Sequence, residues 1–287
     1  MRFLFLLLLT ASVAHAAAIP PAQFDRIHAL VRDHKLREAE RAAQALVAAH
    51  PGEPEAHALL GSVRIDQGDA GNAVAEYEKA AELAPANSGY QRELGDTYGF
   101  AAQQAGMLSK MSWAKKCGVA YEKAVELDPK NLAARSSLMA FYQQAPALIG
   151  GGLDKAYAQA AAIKEADATR GLVAYAMLNI GEKKYGEASA KLEEVLRTEP
   201  DNYTALYQVG RIAALSGEQI DRGIAALQRC LTLPPTTGAP GHDAANWRLG
   251  NLWEKKGDKA VARAAYQAAL AVTPSFPQAI DALKKLD

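Results

Sequence analysis

The amino-acid sequence predicts an all-α chain of stacked helical hairpins, and three observations predict it. Ala, Leu, Lys and Glu are abundant while runs of β-branched residues are scarce, a composition that favours helix. A pattern of Leu-Gly, aromatic, Ala, aromatic and Pro returns with a period of about 34 residues. Glycine and proline fall between the apolar stretches, where they end one helix and set the turn to the next.

Taken in order, a first hairpin closes over Ala39 to Pro51. The second is the clearest: Leu60-Gly61 opens it, Gly68 marks its turn, and Ala73, Tyr77, Ala80 and Pro85 follow. Leu94-Gly95-Tyr98 opens a third that Tyr121, Ala124 and Pro129 close, with about ten residues more than the period requires. This insertion, near 99–116, is expected to lengthen both helices, with Met107, Leu108, Met111 and Trp113 on an apolar face. The fourth runs from Leu132 through Leu138 and Tyr142 to Ala156, Ala160 and Ile163, with a second insertion over 145–152 at its turn. That Gly-rich insertion reads as a flexible turn, because a phosphate-binding loop would need Gly-Lys-Ser/Thr after a strand. The fifth spans Leu172 to Pro200, and the sixth carries Leu206, Val209-Gly210, Gly217, Leu227, Cys230 and Pro235. Leu249-Gly250, Trp253, Gly257, Ala262, Tyr266, Ala269 and Pro274 form the seventh, and Pro277 to Leu286 caps the end.

The spacing has a physical reason. Gly61 and Gly250 let the first helix of a hairpin approach the second, small Ala73 and Ala80 allow close packing, and Tyr77 and Tyr266 fill the remaining gap. Pro85 and Pro274 cannot continue a helix and so end the hairpin.

These residues resemble the tetratricopeptide-repeat (TPR) superfamily over nearly the whole span from Phe24 to Leu286. Phe141-Tyr142, Ala145-Pro146 and Gly150-Gly151-Gly152 followed by Asp154-Lys155-Ala156 are similar to bacterial exported TPR proteins of undefined role. The resemblance implies a right-handed α-solenoid of about seven hairpins with a C-terminal capping helix, occupying 17–287. It also implies a concave groove lined by the first helix of each hairpin, onto which Arg92, Asp96, Tyr207, Arg211, Trp247 and Asn251 project as ligand contacts. Trp247 beside Asn251 and near Arg211 would offer a stacking surface together with hydrogen bonds. The carboxylate clamp of chaperone-binding TPR domains does not fit: Arg92 matches its first lysine, but Asp96 stands where an asparagine is needed and would repel an acidic terminus.

The N-terminus predicts export. Arg2 precedes the apolar run Phe3 to Leu9, and Ala14-His15-Ala16 presents small residues to signal peptidase, so residues 1–16 read as a cleaved signal peptide. The run is shorter than the roughly 20 residues that span a bilayer, and no cysteine follows the cleavage site for acylation. The mature chain is thus expected in the periplasm or outside a bacterial cell, without a stable membrane anchor.

Other classes are disfavoured. With 32 basic and 32 acidic side chains, no nucleic acid or other polyanion is implied. His28, His34, His50, His57 and His242 include no pair at i, i+4, so no metal site is readable. Glu193-Glu194 diverge around a helix, and no serine sits in a nucleophile elbow, so no catalytic residue and no cofactor is expected. Cys117 and Cys230 fall on second helices several hairpins apart and read as two buried free thiols. The functional expectation is a non-catalytic exported scaffold that binds a protein or peptide in its groove. A glycan or cell-wall polymer scaffold is the alternative, and an enzyme the least favoured.

Overall fold

The computed structural model describes residues 19–286, so the expected signal peptide over 1–16 lies outside the described residues. Among the described residues there are fifteen α-helices, one short 3-10 turn and no strand. They fall into two compact units, divided between Asp128 and Pro129.

The first unit holds α1 (Pro21–Arg32), α2 (Leu36–Ala49), α3 (Pro54–Asp66), α4 (Ala70–Leu83), α5 (Ser88–Gln104) and α6 (Met107–Leu127). They pack as three hairpins, α1 on α2, α3 on α4 and α5 on α6, with α2 against α3 and α4 against α5. The second unit holds α7 (Leu132–Gln144), α8 (Leu153–Ala166), α9 (Ala168–Gly181), α10 (Tyr185–Thr198), α11 (Tyr203–Ser216), α12 (Ile220–Leu231), α13 (His242–Lys255), α14 (Lys259–Val272) and α15 (Pro277–Leu286). Four hairpins follow in order, and α15 closes on α14. Within this unit the first helices meet side by side, α7 with α9, α9 with α11 and α11 with α13, and so share one face.

Local chemistry sets the helix bounds. Pro21 and Pro54 stand in the first turns of α1 and α3, where a missing N–H costs nothing. Asp69, Asn87, Asn131, Asp167, Asn202 and Asp258 each accept a backbone N–H as N-caps. In most hairpins the turn contains a left-handed residue, Gly68, Gly217 and Gly257 in the second, sixth and seventh and His34 and Lys183 in the first and fifth, while the Ala105-Gly106 turn of the third has none.

Packing follows the alanine and tyrosine positions. Ala39, Ala73, Ala80, Ala124, Ala188, Ala262 and Ala269 are wholly buried, which lets the helices close on one another. A Cβ on Gly61 would sit 2.8 Å from the Tyr77 ring, and one on Gly95 would sit 2.5 Å from that of Tyr121. In the sixth hairpin, Leu227 takes the place of the tyrosine and lies over Gly210.

The two insertions differ in kind. Helices α5 and α6 run 17 and 21 residues, and Tyr98 stacks on Trp113 at 5.7 Å between ring centroids. Lys116 Nζ lies 4.8 Å from the Trp113 ring centroid. Beyond Trp113 the start of α6 is uncovered, with Met107, Leu108 and Met111 all exposed. The 145–152 segment, expected as a flexible turn, is tightly tied. Gly150 adopts φ 99° after a 3-10 turn over Ala147–Ile149, Gly151 N donates to the Pro146 carbonyl, and Gly152 N donates to that of Tyr142. Lys155 Nζ donates to the Gly150 carbonyl at 2.9 Å, and a Cβ on Gly151 would fall on the Ala145 carbonyl oxygen. Cys117 in α6 and Cys230 in α12 are buried free thiols.

Candidate functional site

The residues expected to contact a ligand divide between the units: Arg92 and Asp96 on α5 in the first, Tyr207, Arg211, Trp247 and Asn251 on α11 and α13 in the second. In the first unit the charges are consumed internally. Arg92 Nη1 donates to Asp96 Oδ2 at 2.6 Å, its Nη2 reaches Glu93 Oε1 at 3.3 Å, and the Tyr121 hydroxyl donates to Asp96 Oδ1 at 2.6 Å. Asp96 therefore braces α6 against α5. Glu93 beside it has its carboxyl pKa raised, chiefly by burial, with Arg92 opposing and Asp96 adding to the shift.

Asn251 has the corresponding role in the seventh hairpin. The Tyr266 hydroxyl is shared between Asn251 Oδ1, at 2.8 Å, and the Glu254 carboxylate, so Asn251 is committed to holding α14 on α13. Tyr207 corrects the expectation of an exposed groove contact. It is 4 % exposed, and the physical reason is its neighbour in the next hairpin: Arg248 covers the ring at 5.7 Å and donates from Nε to the Tyr207 hydroxyl at 2.9 Å.

Arg211 and Trp247 remain partly open. The Trp247 ring meets Phe276 edge-on, with centroids 6.2 Å apart, and carries the Arg248 guanidinium on its face at 4.9 Å. Arg211 sits one turn beyond Tyr207 on α11, half-buried, with Nη1 donating to Gln208 Oε1 at 3.3 Å and Nε buried without a partner. Burial first, then the Arg248 charge, holds its pKa below the ordinary arginine value. The second unit thus gathers Trp247, Arg248, Tyr207 and Arg211 along the face shared by its first helices.

Sequence reasoning missed Arg248. It lies between the two positions per helix read as facing a groove, and its long stem carries the head across to the preceding hairpin. Its place beside Trp247 was the available signal. Trp253, part of the seventh hairpin's motif, packs partly buried against two apolar clusters.

A family model for the tetratricopeptide repeat matches residues 24–88 and 212–280. No curated protein matches the chain. Among solved structures, a tetratricopeptide repeat protein from Parabacteroides merdae is similar at 16 % identity and a TM-score of 0.62, over 93 % of this chain and 98 % of that one. Yeast Tom70 is similar at 16 % identity and 0.61, over 88 % of this chain and 51 % of Tom70. A thermophilic TPR protein of Thermus thermophilus is similar at 17 % identity and 0.52, over 74 % of this chain and 99 % of that one. At such identities the likeness shows the fold.

Proposed function

We propose that this chain, which carries tetratricopeptide repeats, is an exported scaffold that binds a protein or peptide segment on the face formed by α11 and α13. Repeat arrays of this kind offer extended surfaces for partners, and their hairpins give few enclosed sites for chemistry. The observation that carries the reading is the half-open Trp247 with Arg248 stacked on it and Arg211 nearby, an aromatic and arginine pairing typical of residues that dominate partner binding. Export rests on Arg2, the apolar run Phe3 to Leu9 and Ala14-His15-Ala16.

The test is a photoreactive residue placed at position 247 in the full chain, irradiated in the cell envelope. A specific protein adduct, reduced when Arg211→Ala is added, is the expected result. A bare chain, or an adduct only with polysaccharide, would sink the reading.

A further inference from the structure

Neutral as a whole, the chain is not neutral everywhere. Between Asp96 and Glu122 it carries Lys110, Lys115 and Lys116 and no acidic residue. The same stretch builds the start of α6, which has 21 residues against 14 in α4, two turns more or roughly 10 Å of extra helix. Every residue from 106 to 112 is exposed there, Met107 at 87 % and Leu108 at 94 %. An apolar side chain exposed singly is ordinary on a protein surface, whereas three together at one uncovered helix start mark a surface that meets something.

Their placement is ordered. At about 100° per residue, Met107, Leu108 and Met111 fall on one side of α6, with Lys115 one turn further along that side and Lys110 at its edge. The opposite side is occupied. Trp113 stacks on Tyr98 of α5 at 5.7 Å, and Lys116 lies over both rings while pairing with Glu78 at 3.7 Å. Gln104, at the end of α5, donates from Nε2 to the Gly68 carbonyl at 3.0 Å and ties this end to the second hairpin. A fixed base thus turns the apolar side outward. Unlike Lys116, Lys110 and Lys115 are exposed and form no ion pair among the described residues.

We infer that the start of α6 is a contact for an anionic lipid surface, with Met107, Leu108 and Met111 entering the headgroup boundary and Lys110 and Lys115 held at the level of the phosphates. Three features select this occupant. Unpaired lysines beside apolar side chains complement anionic lipid, and their long stems let the ammonium groups rise to the headgroups. Met107 to Met111 spans about 6 Å of helix, within the about 5–10 Å that interfacial segments bury. A second copy docked tip to tip would instead set lysine against lysine, with no acid in the segment to receive them. Among the described residues no helix is long and apolar enough to cross a membrane, so the contact is a reversible one at the surface. It goes beyond the partner face on α11 and α13 and uses none of its residues.

The test uses the chain from residue 17 onward, which keeps every described helix and removes the apolar run Phe3 to Leu9 as a competing lipid contact. It is sedimented with vesicles of phosphatidylglycerol and phosphatidylcholine in equal parts, and with vesicles of phosphatidylcholine alone. Binding to the mixed vesicles that is far weaker on the neutral ones, and that falls as salt rises, is the expected result. Lys110→Gln and Lys115→Gln each weaken it by about fivefold, the share of one lysine near an anionic surface. Met107→Ser combined with Leu108→Ser weakens it by about tenfold or more. All four side chains are exposed, so thermal melts of these variants match the wild type and separate lost binding from lost folding. Sedimentation velocity on the chain alone reads the competing occupant: a dimer that the paired serine variant dissociates assigns the tip to a second copy and overturns the inference. Failure to bind the mixed vesicles, equal binding to the neutral ones, or binding that the paired serine variant retains in full overturns it as well.

Discussion

Replacing Gly95 by alanine sets two opposed effects against each other at one atom. Alanine favours helix over glycine by about 1 kcal/mol, so propensity alone predicts a gain. The new Cβ, however, would lie 2.5 Å from Cδ1 and Cε1 of Tyr121 and 3.2 Å from Cγ. The ring cannot simply swing away, because its hydroxyl donates to Asp96, and Asp96 is itself held by Arg92. Either the helices part, at the usual overpacking cost of about 1–3 kcal/mol, or the hydrogen bond to a carboxylate is given up, at about 1.5–3 kcal/mol. Both exceed the propensity gain, and the net expectation is a loss of about 2 kcal/mol. Gly71 in α4 is the control: a Cβ there meets nothing within 4 Å, so Gly71→Ala keeps its modest gain. Urea unfolding followed by circular dichroism reads both as midpoint shifts at constant slope. In a Tyr121→Phe background the tether is gone and the Gly95→Ala penalty shrinks, a coupling the double-mutant cycle isolates. A Gly95→Ala chain as stable as Gly71→Ala would refute the argument.

Two further outcomes follow from burial. Cys117 and Cys230 both have thiol pKa values pushed up to about 11, chiefly by burial, so the native chain reacts slowly with a disulfide reagent near neutrality and faster as pH climbs toward that value. Unfolding without reductant exposes both thiols to titration, and finding none would show a bridge instead. Glu93 gives a pH signature. Its folded pKa is raised, so its charge is a cost to folding above that value, and the cost vanishes as pH falls through the folded pKa to below the unfolded one. Glu93→Gln is therefore more stable than wild type at neutral pH and level with it near pH ~4, measured by thermal melts at each pH; an advantage that grew on acidification would contradict the sign.

Much of the fold was legible because its signals are local. Gly68 and Gly257 mark turns where a left-handed residue is required, and Ala73, Tyr77, Ala262 and Tyr266 mark the packing seam. Where a different residue type bears the same geometry, the signal disappears: His34 and Lys183 adopt the left-handed conformation without announcing a turn. The glycines over 150–152 were visible as residues but misread as loose: Gly150 is used for its left-handed φ, and Gly151 for close approach to the Ala145 carbonyl, which depends on a partner several residues away. The candidate site was harder still. Position along a helix nominated Tyr207, which instead lies within the apolar cluster and under Arg248 reaching from the next hairpin.

Contacts in each unit run almost wholly between helices that are neighbours in the chain. Such a topology closes only short loops on the way to the native state, so each unit can begin to form at any hairpin and grow outward. Damage is correspondingly confined: fraying of α15 uncovers α14 before it reaches α13, and protection from hydrogen exchange should rise in steps from the C-terminus inward. The same economy lets hairpins be gained or lost between related chains without rebuilding a shared core.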